Sequence, residues 1–441
     1  MNMNTKREHA VVIGGSMAGL VTARVLSKHF RNVTIIEKDK VNDKPETRKG
    51  QPQTRHIHLV LAQAMNILLG YFPSLKKELI EAGALELDVC NDYNWYSYGG
   101  YKKKGVTGIT ALTMTRELLE YHVKKHVLSI GNITILDETK ALEMKMKDEN
   151  VYALVLEKAG EKQLINTDFV VDASGRGTRA YKWLEQHGYA TPEETKIKID
   201  IMYVTILLER KEIPQGKKAE VISYTPDAPN EKLGAVLMPI EENRWVLTLI
   251  GMRGVEPPQN DEELLKFLKG LPISGLYDTV SEAKRLTDFL VFKCPHSIRR
   301  HYEKLKKFPG SYVVLGDAVS NFNPMYAQGM ASSICQAKVL DEVLTIIPAN
   351  DKVFKPHIKK VNAVIEDFWT AGSYEDFKYP ETEGEKPVGL KMVNGYMKAL
   401  QKAANKDTEL FKEILEVAGY LKSGKTLFRP KIMWKVFKTN L

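Results

Sequence analysis

The stretch VVIGGSMAGLVTARVLSKHFRNVTIIEKD, residues 11 to 39, limits what this chain can fold into more than any other part of it. An apolar strand, HAVVIGG, runs into an amphipathic helix, MAGLVTARVLSKHF, and then into RNVTIIEKD, a second strand with β-branched residues. That order is a β-α-β unit, and its first turn follows the G-x-G-x-x-G fingerprint with one substitution. In such a turn the first glycine permits a tight bend, the second lets a pyrophosphate approach the backbone, and the third lets helix pack on strand. Gly14 and Gly19 meet the first and third needs, Gly15 adds flexibility, and Ser16 stands in the middle position. Serine is the smallest polar substitute, so phosphate approach is still expected at the positive end of the helix, where Met17 and Ala18 follow. Glu37, beside Lys38 at the end of the second strand, stands where an acid accepts hydrogen bonds from ribose hydroxyls and disfavours a 2′-phosphate.

At 441 residues, 43% of them apolar, the chain can bury a large core and form two lobes around a cleft. No run approaches the ~20 apolar residues of a membrane span, and polar MNMNTKREH leads into the first strand without a signal-peptide core, which predicts a soluble, cytoplasmic protein. Cys90, Cys294 and Cys335 lie far apart, so free core thiols are expected rather than disulfides or a zinc site. His56 and His58, in RHIHLVL, are two residues apart as on one side of a strand; without a third ligand they predict hydrogen bonding or core contact, and no metal. The net charge of +9 owes much to the tail, where six basic residues and no acid follow Glu416. In FRPKIMWKVFKTNL, Pro430 can open a helix with Ile432, Met433, Val436 and Phe437 on one stripe and Lys431, Lys435 and Lys438 on another. Such a segment, 428–441, could rest on an anionic membrane surface or dock on its own domain.

Further along, residues 133–172 alternate as short strands, and residues 199–252 hold the longer runs IDIMYVTILLER, AEVISYT and LGAVLMPIEENRWVLTLIG, the last a hairpin around EEN, predicting an antiparallel sheet. Asn260 is placed to cap the helix DEELLKFLKG. Three later segments narrow the meaning of the first turn. FVVDASGRGTRA runs a strand into Asp172 and Gly175; YVVLGDAVSNFNPMYAQGMASSICQA runs another into Asp317, with Pro324, Gln328, Gly329 and Met330 before a helix; TMTRELLE puts Arg116 in a first helical turn. A buried Asp317 would need partners, and sugar hydroxyls suit it.

Together with RKGQPQTRHIH and LMPIEENRW, this set resembles the flavin-dependent monooxygenases of the para-hydroxybenzoate hydroxylase fold (group A), and within them a bacterial branch of polyene epoxidases; the likeness runs from residue 10 to about 345. The resemblance implies an α/β fold: a discontinuous Rossmann-like FAD domain (1–95, 116–195, 291–345), a substrate domain built on the antiparallel sheet (96–115, 196–290), and a helical C-terminal region (346–441). It further implies that Gly14, Ser16 and Gly19 hold the FAD pyrophosphate, Glu37 the ribose, Arg116 a phosphate oxygen and Asp317 the ribityl chain. The YAQGM backbone would lie against the flavin ring, the Asp172 to Arg179 segment would serve FAD and NAD(P)H, and Arg48, Gln53 and His58 would be cofactor neighbours. Alanine follows Asp172 and threonine takes the serine position, departures that weaken the NAD(P)H role. The implied reaction inserts one oxygen atom from O2, through a C4a-hydroperoxyflavin, into a hydrophobic, polyene, prenylated or aromatic molecule. No nucleic acid is expected as partner, and no catalytic acid or base is assigned. The alternatives are a halogenase of related fold, whose W-x-W-x-I-P segment this chain lacks, a prenyl-lipid reductase, and a non-enzymatic nucleotide-binding protein.

Overall fold

The computed structural model describes residues 7–213, 219–347 and 353–441, so the polar start read at residues 1–6 lies outside it. Strand Arg7–Ile13 has Ala10, Val11 and Val12 wholly buried, as a strand covered on both faces requires. It is the middle of a five-stranded parallel sheet in the order Tyr312–Val314, Phe169–Asp172, Arg7–Ile13, Phe30–Ile36, Ile133–Leu136. Helix Met17–Leu26 packs against helices Arg116–Leu128 and Gln328–Ile346. An antiparallel meander, Thr139–Lys147, Asn150–Lys158 and Glu161–Asn166, adds Leu154 and Leu156 to the same core. Distant parts of the chain therefore meet at the carboxyl ends of the parallel strands, where ligands of open α/β sheets bind.

The second sheet has eight strands, in the order Ser320–Asn321, Leu290–Arg300, Glu194–Glu209, Arg244–Gly251, Leu233–Ile240, Val221–Tyr224, Tyr93–Ser97, Gly100–Tyr101. Its side chains alternate as the pleat dictates. Val204, Ile206, Leu208, Ala235, Leu237, Leu247 and Leu249 meet Leu264, Leu268, Leu276 and Val280 of helices Asp261–Lys269 and Leu276–Glu282. Tyr203, Thr205 and Thr248 occupy the other face, where Thr205 and Thr248 are cross-strand partners. The EEN hairpin forms as read, and Asn260 Oδ1 accepts from Glu263 N at 2.9 Å.

The boundary expected at residue 290 needs correction, because Leu290–Arg300 belongs to the eight-stranded sheet and not to a third cofactor segment. Its Pro295 hid the strand. The partner strand bulges there, its register passing from Lys198 opposite His296 to Ile201 opposite Cys294, so Pro295 faces the bulge, where no ladder N–H is required. Tyr93, expected in the first cofactor segment, likewise stands in this sheet, paired with Val221.

The C-terminal helices are Phe354–Asp376, Leu390–Ala403, Thr408–Ala418 and Pro430–Asn440. Helix Gln328–Ile346 is tied to the first helix's end through Asp341, which accepts from Lys28 (2.9 Å), His29 (2.9 Å) and Tyr71 (3.0 Å). Burial opposes ionisation of Asp341, but the His29 and Lys28 contacts outweigh it and pull its pKa from 3.8 to about 2. A carboxylate whose folded pKa is depressed stabilises above its unfolded pKa and loses that contribution as pH falls through the folded one. Asp341→Asn is therefore expected to cost about 1–2 kcal/mol at pH 7, after allowance for solvent screening, and progressively less between pH 4 and 2. Urea unfolding at both ends of that range measures it, and an equal loss at both would show that charge is not the cause.

Candidate functional site

The turn after the first strand works through two glycines. Gly14 has φ +106°, and a Cβ there would meet Ala173 O at 2.5 Å; a Cβ on Gly19 would lie 1.7 Å from Gly14 O. Gly19 thus serves helix-on-strand contact and does not line the cavity above the turn. Ser16 is accommodated because its hydroxyl is used: Oγ donates to Glu120 Oε2 at 2.8 Å and accepts from Arg116 Nη2 at 3.1 Å. Glu37 accepts from Gly15 N (2.8 Å) and Asp39 N (2.9 Å) and pairs with Arg48 (3.0 Å).

A cavity of about 800 Å³ opens over this turn and runs to the eight-stranded sheet. Gly14, Gly15, Ser16, Met17, Ala18 and Glu37 line one end, with Lys38 and Gln53 at its side. His58 and Arg116 follow, then Gly175 and Asp317, then Pro324, Gly329 and Met330 beneath the last helix of the parallel sheet's lobe. The far wall is aromatic: Tyr203 and Phe292, which are cross-strand partners, with Phe322 and His56. Neither helix Met17–Leu26 nor helix Gln328–Ile346 has a side-chain cap at its N-terminus, so first-turn amides of both are left for whatever fills the cavity. Arg116 Nε is buried without a hydrogen-bond partner among the described residues, its nearest acid oxygen being Glu120 Oε2 at 3.7 Å.

Three expected cofactor neighbours lie elsewhere. Arg48 sits behind the turn, donating to Gly15 O at 3.0 Å and pairing with both Glu37 and Glu120; these two buried acids raise its pKa despite burial. Asp172 is saturated by protein donors, Ser174 N, Ser174 Oγ, Thr178 Oγ1 and Tyr312 OH, and so shapes the DASGRGTR turn from below. Gln328 points back to Phe368 O and Tyr420 OH. Asp317 is a correction of another kind. Its side chain is 34% exposed rather than buried, because it faces the cavity, with Arg176 Nε at 3.6 Å.

RHIHLVL is irregular rather than a strand, and its two histidines have different jobs. His58 hydrogen-bonds His56 O through Nδ1 (2.8 Å) and Arg116 through Nε2 (3.3 Å); burial and the Arg116 charge lower its pKa to about 3, so it is neutral and accepts from Arg116. His56 bonds Thr205 Oγ1 at 2.8 Å, and burial with the Arg55 charge lowers its pKa to about 4. The hydrogen bonds among the described residues include none to its Nε2 or to the Tyr203 hydroxyl, and both side chains line the cavity.

Sequence reading missed Glu120, although its place four residues after Arg116 on one helix was a visible signal. It also missed what holds the FNPMYAQ loop. Asp376 accepts from Asn323 (2.7 Å) and Tyr326 (3.0 Å) and faces Arg253 at 3.5 Å, and burial raises its pKa to about 6 against those partners. The C-terminal helices thereby brace the loop that ends under the cavity.

No protein-family model matches the chain. Over 351 residues it is 32% identical to Protein Rv3254 of Mycobacterium tuberculosis, an alignment covering 77% of this chain and 73% of that relative. The chain belongs to the family of Protein Rv3254. Solved structures similar to this Rv3254 relative include the flavin-dependent brominase Bmp2 (TM-score 0.67, 14% identity, 98% of this chain and 99% of that one) and p-nitrophenol 4-monooxygenase PnpA from Pseudomonas putida (TM-score 0.64, 17% identity, 93% and 97%). The family member described here thus has the para-hydroxybenzoate hydroxylase-like fold shared by flavin-dependent monooxygenases and halogenases, as the sequence resemblance implied. Among its described residues no helix is long and apolar enough to cross a membrane.

Proposed function

We propose that the chain binds FAD non-covalently in this cavity and, with NAD(P)H and O2, inserts one oxygen atom into a hydrophobic molecule by hydroxylation or epoxidation. The observation that carries the reading is the convergence of two uncapped helix N-termini, Arg116 and a half-exposed Asp317 on one cavity. The helix amides and Arg116 donate and suit a pyrophosphate at one end and an electron-rich ring at the other, while the Asp317 carboxylate accepts and suits the hydroxyls of a sugar alcohol. Bound FAD would supply the oxygen activation. The chain's own part is to bind and orient. Ser16, with the first-turn amides of Met17 and Ala18, and Arg116 would hold the pyrophosphate, while Glu37 keeps lone pairs for the ribose. Asp317 would hold the ribityl chain, and the amides of Gly329 and Met330 would favour negative charge on the reduced ring. The resemblance of GGSMAGL, RKGQPQTRHIH and FNPMYAQGM to a bacterial branch of polyene epoxidases supports epoxidation.

On the substrate side, Tyr203, Phe292 and Phe322 suit a polyene, prenylated or polycyclic aromatic molecule, while His56 Nε2 and the Tyr203 hydroxyl would take one hydroxyl or carbonyl on it. Purified protein is expected to retain or take up FAD and to reject FMN, which lacks the adenosine end. NAD(P)H oxidation should then rise with hydrophobic ligands. Equal affinity for FMN would remove the pyrophosphate and ribose roles, and stimulation by small anionic acids alone would overturn the substrate reading. A halogenase reading is favoured by the likeness to the brominase fold and opposed by the absent W-x-W-x-I-P segment; halide-dependent product formation would decide for it.

A further inference from the structure

The terminal helix Pro430–Asn440 is apolar on two sides. Ile432 and Val436 point inward and pack with Leu410, Phe411 and Leu427. The stripe expected from sequence therefore splits, because Met433 and Phe437 do not follow them into the core. Met433 is 45% exposed, Trp434 67% and Phe437 55%, with Leu441 beyond them and the Trp434 and Phe437 rings stacked at 5.8 Å. At about 100° per residue these four fall within a stripe of about 100°, and Lys431 and Lys438 lie roughly 40–60° past its Trp434 edge. Neither lysine makes an ion pair among the described residues, whereas Lys435, further round, is held by Asp407 and Glu409.

We infer that this outward face docks the protein on an anionic lipid surface, with Trp434 and Phe437 entering the interface and Lys431 and Lys438 meeting lipid phosphates. A helix with one apolar side satisfied by its own domain has no folding reason for a second, and exposed apolar side chains this close together mark a contact site. Charge selects the occupant. A second copy would bring the same unpaired lysines against each other, while an anionic surface answers both the aromatic stripe and the cations that flank it. The surface is independent of the flavin reading, and it would place an enzyme for hydrophobic substrates where such molecules concentrate.

The test is flotation of the full chain with vesicles of phosphatidylcholine alone or with about one third phosphatidylglycerol. Wild type is expected to float with the anionic vesicles at least tenfold more than with neutral ones, and to be released by high salt. Lys431→Glu with Lys438→Glu, and separately Trp434→Ser with Phe437→Ser, should each reduce recovery about tenfold, with unchanged melting temperature showing that the domain is intact. Since Trp434 would move into lipid, its fluorescence should shift to the blue on binding, measured as the difference from Trp434→Phe. Failure of wild type to float, equal recovery on neutral vesicles, or variants that bind like wild type would overturn the inference. So would a salt-independent dimer in sedimentation that the Trp434→Ser, Phe437→Ser variant abolishes.

Discussion

Replacing Gly19 with alanine is expected to give a protein that has lost the proposed FAD binding and much of its stability. Helix propensity alone argues the other way, since alanine inside a helix is favoured over glycine by about 0.8–1.0 kcal/mol. The added methyl, however, would stand 1.7 Å from Gly14 O and 2.8 Å from Gly14 C, backbone atoms that cannot rotate aside, with Val12 Cγ1 at 3.4 Å behind them. The helix must back away from the strand, and overpacking of this kind costs typically about 1–3 kcal/mol, which exceeds the propensity gain. Because the same displacement moves Ser16 and the first-turn amides, flavin affinity should fall further than stability. Gly131→Ala is the control, as a methyl there meets nothing within 4 Å. Thermal melting and flavin titration of the two variants measure the difference. A Gly19→Ala protein that binds FAD normally would show that the close approach of helix to strand does not govern this site.

If the proposed FAD site is right, Asp317→Ala is expected to leave the fold standing and weaken FAD binding about ten- to a hundredfold, the equivalent of losing a hydrogen bond to a charged group, ~1.5 to 3 kcal/mol. The side chain faces the cavity, and its nearest protein cation, Arg176 Nε, is 3.6 Å away, so little of the core depends on it. Asp317→Asn, which keeps an acceptor, should fall between wild type and alanine. Titration of folded protein with FAD reads the series, and unchanged affinity in the alanine variant would remove Asp317 from the ribityl contact.

Much of the scaffold was legible because it depends on local chemistry. The strand-like runs of residues 199–252 marked the antiparallel sheet, and the pleat's period of two then puts Tyr203 and Thr205 on one face and Ala235 and Leu237 on the other, whatever surrounds it. The first turn was legible for the same reason, because backbone sterics at Gly14 and Gly19 do not depend on distant residues for their rule, only for their severity. Strand Leu290–Arg300 was not legible. Its proline is acceptable only opposite a bulge that lies some ninety-five residues earlier in the chain, between Lys198 and Ile201.

The candidate site divided along the same line. The sequence by itself determined the β-α-β unit, the glycines of its turn and the acid after the second strand, features whose spacing follows from strand and helix geometry; Arg116 and Asp317 were singled out through the family resemblance, and the structure turned Asp317 from an expected buried acid into one that faces the cavity. Only the tertiary structure decided which polar groups are free to meet a ligand. Arg48 is taken by Glu37 and Glu120, and Asp172 by three donors from its own turn and by Tyr312, whereas the hydrogen bonds among the described residues include none to His56 Nε2 or the Tyr203 hydroxyl at the cavity wall. The same holds for the last helix, whose apolar residues are divided between core and surface by where Leu410 and Phe411 stand. A buried charge or hydroxyl must find partners, and some of those partners come from distant segments, as Glu120 does for Arg48 and Tyr312, 140 residues on, does for Asp172, so hydrogen-bond saturation is a property of the fold and not of any one stretch of sequence.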